Sequence, residues 1–216
     1  MESTGWPGVF RTGRDLYTRN AVPGETVYGE PLRTESGTEY RLWDPWRSKL
    51  CAFLANGAPT PLWSEVRTVL YLGAAHGTTV SHLSDALPEA SIFAIEKSPT
   101  SFAPLLALAR RRKNLLPILA DAQLPERYAA DVGPVDLLVQ DVAQRDQPRI
   151  FLENADACRA RRGILMLKIR SVTQRLPPRD VVRGARRELG SSGLAVAEGA
   201  DLGPFAREHV ALTVGG

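Results

Sequence analysis

The stretch Val69-Leu70-Tyr71-Leu72-Gly73-Ala74-Ala75-His76-Gly77-Thr78-Thr79 constrains the fold more than any other part of the chain. An apolar run stops at one glycine, crosses small residues and meets a second glycine trailed by hydroxyl residues. That is the pattern of a strand, a tight turn and a helix N-terminus. Glycine lets a ligand approach the backbone without a Cβ in the way, and the first helical turn offers amide and hydroxyl donors. Gly73, Thr78 and Thr79 are therefore candidate cofactor contacts, although an ordinary βα turn has the same local pattern.

From Thr68 onward the chain alternates apolar runs with helical periods. Strands are expected at 68–72, 91–95, 115–119, 135–140 and 163–169, with helices at 78–87, 99–112, 147–161 and 179–189 and a short helical turn at 123–128. Such an alternation predicts an α/β fold: a Rossmann-like, mostly parallel sheet with helices on both faces. Two last strands, 194–197 and 209–214, are joined by a loop too short for a crossover helix, so they should pair antiparallel.

Residues 1–42 are different. Short alternating runs at 9–12, 16–19, 26–28 and 39–42, with turn signals at Pro23-Gly24 and Ser36-Gly37, predict a small N-terminal antiparallel β domain, leaving 43–216 as the main domain. So short a segment rarely holds a core of its own and must pack on the rest. Between the two, Asp44 can cap a helix whose first turn suits Pro45 and whose stop is Gly57. Trp46, Leu50, Phe53 and Leu54 would share its buried face, with Lys49 at the edge; an isolated lysine there ordinarily snorkels to water.

Composition removes several classes of function. With 44% hydrophobic and 24% charged residues the chain is a folded globular protein rather than a disordered one. Cys51 and Cys158 lie far apart without CxxC spacing, so neither a metal site nor a disulfide framework is expected, and both read as buried thiols. No apolar run approaches the length of a membrane span and no basic-then-apolar leader is visible, so no membrane role and a cytoplasmic location are expected. The 27 basic residues against 24 acidic ones point to an anionic partner touched locally. Arg110 to Lys113 and Arg159, Arg161 and Arg162 end helices, where cations satisfy the macrodipole. Arg175, Arg179, Arg183, Arg186 and Arg187 cluster on or beside an exposed helix face and fit phosphate contact.

In a doubly wound sheet ligands bind outside the carboxyl ends of the strands, here Gly73, Glu96, Asp121, Asp141 and Lys168. Glu96, 23 positions after Gly73, suits the acceptor of ribose hydroxyls. Asp121, beside Ala122, could face an adenine amino group or be a loop acid. Gly73 and Gly77 leave no glycine in the middle position that a pyrophosphate approach requires. That argues against a dinucleotide-dependent oxidoreductase and for a phosphate-free nucleoside such as S-adenosylmethionine.

Five motifs in collinear order closely resemble fibrillarin in its short archaeal form: Leu-Trp-Asp-Pro-Trp-Arg-Ser-Lys-Leu (42–50), Gly-Ala-Ala-x-Gly-Thr-Thr-Val-Ser-His-Leu-Ser-Asp (73–85), Leu-Ala-Asp-Ala (119–122), Gln-Asp-Val-Ala-Gln (140–144) and Leu-Met-Leu-Lys-Ile-Arg-Ser (165–171). The resemblance runs from about residue 26 to the end. Two positions depart from it: His76 stands where the family usually has serine, and Lys97 where an aromatic usually comes after the acid.

The resemblance implies an S-adenosylmethionine-dependent RNA ribose 2′-O-methyltransferase acting on rRNA and tRNA within a box C/D guide ribonucleoprotein. By matching motifs it implies cofactor contacts at Thr78, Thr79, Glu96, Lys97, Asp121, Ala122, Asp141, Val142, Ala143 and Gln144. It also implies a catalytic group of Lys49, Asp141, Lys168 and His209. The implied partners are a box C/D guide RNA that selects the nucleotide by pairing, a coiled-coil scaffold protein and a kink-turn-binding ribosomal-type protein; the isolated chain should bind cofactor yet methylate RNA poorly. The chemistry suits those residue types. A ribose hydroxyl is a poor nucleophile that must be aligned, which can supply on the order of 7–11 kcal/mol, and relieved of its proton. Lys168, on an apolar strand near a second cation, is expected to be the base. Asp141 is expected to orient both lysines, and His209 to bond the ribose or share the proton. The rival readings are a non-catalytic structural subunit of the same particle and a protein glutamine methyltransferase.

Overall fold

The structure, a computed structural model, describes residues 1–58, 63–197 and 199–215. Two sheets organise it. The first holds β1 (Glu2–Ser3), β2 (Val9–Thr12), β3 (Asp15–Arg19), β4 (Leu32–Glu35) and β5 (Thr38–Trp43), all antiparallel, in the order β1-β2-β3-β5-β4. The strand expected at 26–28 does not form. The amides of Val27 and Tyr28 bond the Glu30 carboxylate at 2.8–3.1 Å, which withdraws them from any ladder. In its place β4, whose sequence Leu-Arg-Thr-Glu carries little apolar signal, lies against β5.

A short helix, α1 (Lys49–Ala55), leads out of that sheet. Its cap is Ser48, whose hydroxyl accepts from the Cys51 amide at 3.2 Å; Asp44, the expected cap, instead closes a turn by accepting from the Trp46 amide at 2.8 Å. The helix therefore starts later than the sequence suggests. Leu50, Phe53 and Leu54 are buried as expected, but Trp46 precedes the helix, is 64% exposed and meets the edge of Phe205.

The second sheet is the Rossmann-like one. Its parallel strands are β6 (Thr68–Leu72), β7 (Ser91–Glu96), β8 (Leu115–Leu119), β9 (Leu137–Gln140) and β10 (Arg162–Lys168). β13 (His209–Gly215) runs antiparallel between β10 and β11 (Ala195–Val196), and β12 (Ala200–Asp201) also pairs with it. Intervening helices are α2 (Thr78–Ala86), α3 (Pro99–Ala109), a 3-10 turn (Pro125–Arg127) with α4 (Ala129–Val132), α5 (Gln147–Ala157), α6 (Ile169–Val172) and α7 (Pro178–Gly190). The order β11-β13-β10-β9-β6-β7-β8 reverses direction between β6 and β9, and that switch point is where such sheets open a crevice. Alternate residues of each strand feed two cores. Val69, Tyr71, Leu137 and Val139 pack with α1, α2 and the first sheet, while Leu70, Leu72, Leu138 and Leu165 pack with α5 and α7.

The two sheets are joined by polar groups. Arg41 of β5, wholly buried, bonds Glu30 at 2.6 Å, Asp85 of α2, and the Ser81 hydroxyl at 3.0 Å; Arg112 reaches Asp85 from the other side at 3.3 Å. His82 stacks on Trp43 and sits between Thr18 (2.7 Å) and Tyr28 (2.9 Å). Burial pushes the His82 imidazole well below its usual pKa, helped by the two arginines, so it is held neutral. Burial raises Asp85, and its arginines offset only part of that. Among the described residues no helix is long and apolar enough to cross a membrane, and no cluster of three or more His, Cys, Asp or Glu could hold a metal ion.

Candidate active site

At the switch point lies a cavity of about 480 Å³, within the range of small-molecule sites. Gly73, Glu96, Lys97, Asp121, Ala122 and the run Asp141, Val142, Ala143 and Gln144 line it, as expected, together with Ala75, Ile95 and Ala120. Thr78 and Thr79 are not among the lining residues. The Thr79 hydroxyl bonds Ser48 at 3.0 Å and Tyr71, so it ties the start of α2 to α1 and β6.

Both glycines are also required by close contacts within the chain. At Gly73 (φ +84°) a Cβ would lie 2.4 Å from the Asp141 carbonyl oxygen, and at Gly77 (φ +98°) it would lie 2.5 Å from the Leu108 side chain. Gly73 thus lets the β6 turn close on the segment after β9, and Gly77 lets α2 start against α3.

Three carboxylates, from Glu96, Asp121 and Asp141, face a single lysine, Lys97, around this cavity. Glu96 is oriented by the amides of Ala75 (2.9 Å) and Ser98 (2.8 Å), which leave lone pairs on both oxygens for hydroxyl donors. Asp121 accepts from the Gln123 amide at 3.0 Å and stands 3.7 Å from Lys97. Walls in which carboxylates outnumber cations suit a cationic nucleoside carrying hydroxyl and amino donors and disfavour a pyrophosphate. The donor set fits S-adenosylmethionine.

Around Asp141, which lines the cavity, the four residues expected to act together do come together. Lys49, at the start of α1, gives its ammonium to both oxygens of Asp141, at 2.7 and 2.9 Å. The carboxylate is thereby committed to Lys49 and does not serve Lys168 equally, contrary to expectation. Lys168 ends β10 and faces His209 at the start of β13 in register. The ladder bond from the Ile169 amide to the Glu208 carbonyl makes Lys168 and His209 a non-hydrogen-bonded pair, the kind that brings side chains closest. His209 feels Lys49, Asp141 and Lys168 electrostatically, which closes the group.

His209 is the most specific element. Its Nδ1 lies 2.8 Å from the Arg207 carbonyl oxygen, which can only accept, so Nδ1 carries the proton and Nε2 keeps its lone pair. Nε2 is buried and has no hydrogen-bond partner among the described residues. Burial, then the two lysines, lower the His209 pKa below its usual value against the pull of the Arg207 carbonyl and Asp141. The site therefore presents a neutral imidazole acceptor beside two amines.

A sequence model of the fibrillarin family matches residues 2–215. The chain belongs to the fibrillarin family. A fibrillarin-like rRNA/tRNA 2′-O-methyltransferase of Methanothermobacter thermautotrophicus is 41% identical over 216 residues, covering 99% of this chain and 96% of the relative. Its counterpart in Methanosarcina barkeri is 43% identical over 211 residues, covering 94% and 93%. Among solved structures, an Aeropyrum pernix fibrillarin with natively bound S-adenosyl-L-methionine superposes with a TM-score of 0.84 at 38% identity, covering 93% of this chain and 88% of that one. The fibrillarin chain of a fibrillarin/Nop5p complex gives 0.88 at 35% identity, covering 100% and 99%. Fibrillarin architecture thus extends over both sheets of this molecule.

Proposed function

We propose that the protein is an S-adenosylmethionine-dependent RNA ribose 2′-O-methyltransferase that works inside a guide ribonucleoprotein. The observation that carries the reading is the Nε2 of His209, unpartnered among the described residues and set beside Lys49, Lys168 and Asp141, the last of which lines a carboxylate-rich cavity. When bound, S-adenosylmethionine supplies an electrophilic methyl group on a sulfonium. Glu96 would take its ribose hydroxyls, Asp121 its adenine amine, and Asp141 would face the positive charge. On the RNA side, Nε2 of His209 accepts the 2′-hydroxyl proton, while Lys49 and Lys168 stabilise the negative charge that grows on the oxygen. This gives the proton to the imidazole, where the sequence points to Lys168. Asp141 keeps Lys49 in place and keeps the local charge from becoming wholly positive.

RNA and a Nop5p-type scaffold are the partners that the relatives' names support; a box C/D guide RNA and a kink-turn-binding protein complete the particle. Beside the site, a groove of about 760 Å³ runs along α7 from Ile169 and Val210, the residues next after Lys168 and His209, and is walled by Arg179, Arg183, Arg186 and Arg187. Its position and charge fit the phosphates flanking a target nucleotide. The test is transfer of labelled methyl to two target strands in a reconstituted particle, one with the guide-selected 2′-hydroxyl and one 2′-deoxy at that position. Label in the first only is expected; label in the deoxy strand, or in protein, would reject the reading.

A further inference from the structure

We infer that Gln147 is a positioning residue that fixes Lys168 and the cofactor wall to each other through a single side chain; the inference rests on the methyltransferase reading above. β10 outruns its parallel neighbour: its pairing with β9 ends at Leu165↔Gln140, while pairing with β13 continues to Lys168↔His209. Because the Ile169 amide bonds β13, the amide and carbonyl of Lys168 point the opposite way, toward the place β9 would occupy had it continued. There the chain has left the sheet, and residues 141–144 line the cavity instead.

Gln147, first residue of α5 and wholly buried, fills that place. Its Oε1 accepts from the Lys168 amide at 2.9 Å and its Nε2 donates to the Lys168 carbonyl at 3.0 Å, the two bonds that a strand neighbour would have made. The second Nε2 hydrogen goes to the Gln144 carbonyl at 2.8 Å, in the cavity wall. The backbone of Gln147 is held in turn, since its carbonyl accepts from Gln140 Nε2 at 2.8 Å. An amide is the side chain that can offer two donors and an acceptor at once in this plane. A carboxylate would face two carbonyl oxygens with no hydrogen to give, and a thioether would satisfy none of the three.

The variants are Gln147→Met and Gln147→Glu, with Leu16→Ala, a core truncation in the remote first sheet, as the control for lost stability. Cofactor Kd is read by calorimetry on the isolated chain, and the single-turnover methyl-transfer rate in the reconstituted particle at saturating cofactor. Gln147→Met should raise Kd several-fold and lower the rate together, by on the order of 10- to 100-fold for a misplaced amine. Leu16→Ala should leave both within about twofold, inside the usual additivity of distant sites. The ratio of Gln147→Glu to wild-type activity should rise as pH falls, because the protonated acid regains one donor, while the control ratio stays flat. Wild-type values for Gln147→Met, or a flat Gln147→Glu ratio, would overturn the inference; should Gln147→Met fail to fold, the pH ratio alone decides. An inactive wild-type particle would instead count against the methyltransferase reading, and the Kd shift would still be read.

Discussion

Two ion-paired groups stand in this molecule's interior, and their surroundings assign them different work. Arg41 with Glu30 and Asp85 is closed to solvent, with side chains 0% exposed, and its partners include Ser81 and Arg112. Lys49 with Asp141 is 28% and 18% exposed, adjoins a cavity through Asp141, and lies beside an imidazole nitrogen that lacks a partner among the described residues. The histidines repeat the contrast. His82 has both ring nitrogens bonded and is shut between the sheets, while His209 has one nitrogen bonded and one waiting. A satisfied polar cluster specifies how parts dock, and an unsatisfied one beside a cavity is where a ligand belongs.

The comparison can be broken by exchanging the consequences. Removing Arg41 strands Glu30 and Asp85 in the interior, so Arg41→Met should cost about 3–5 kcal/mol in unfolding free energy. Chemical denaturation measures the loss, and cofactor Kd of the surviving folded protein should be unchanged; a variant as stable as wild type would show that the docking network is dispensable.

A smaller effect comes from His82. Its folded pKa is depressed by burial from the ordinary 6.5, so the folded state excludes a proton that the unfolded chain takes up. Its contribution is complete above pH 6.5 and is lost progressively as pH falls from there toward the folded value, at about 1.4 kcal/mol for each pH unit between the two values. Denaturation midpoints of wild type and His82→Gln between pH 5 and pH 8, in steps of about one unit, should show a slope in the first that is reduced in the second. Parallel curves would remove His82 from the account. Smaller still is the arginine wall of α7. Arg187→Ala should weaken RNA binding modestly and lower the slope of log affinity against log salt by about 1, with an unchanged slope removing that phosphate contact.

The same contrast explains what the sequence could reveal. Glu96, Asp121, Asp141 and Lys168 were visible because each terminates an apolar run, and strand ends at a switch point converge by topology. Thr79 shows how helix start and ligand contact look alike in sequence: its hydroxyl bonds Ser48 and Tyr71, a pairing that local pattern does not record. Segment 26–28 has the alternation of a strand, yet Glu30 claims its amides, a side-chain to backbone competition that alternation does not record. The Arg41 and His82 network is not legible in the sequence because its bonds join residues up to 67 positions apart. Gln147 left only a faint signal, a glutamine opening a helix just after a cavity-lining segment.

The most direct test of the central claim is the methyl-transfer rate of Asp141→Ala and Lys168→Ala in the reconstituted particle, with folding monitored by circular dichroism. Both variants should keep the native fold while transfer drops by about 100-fold or more, the scale on which positioned acid–base groups contribute. Near-normal turnover by either variant would contradict the account, because the four residues that meet beside the cavity would then not be the ones that move the methyl group.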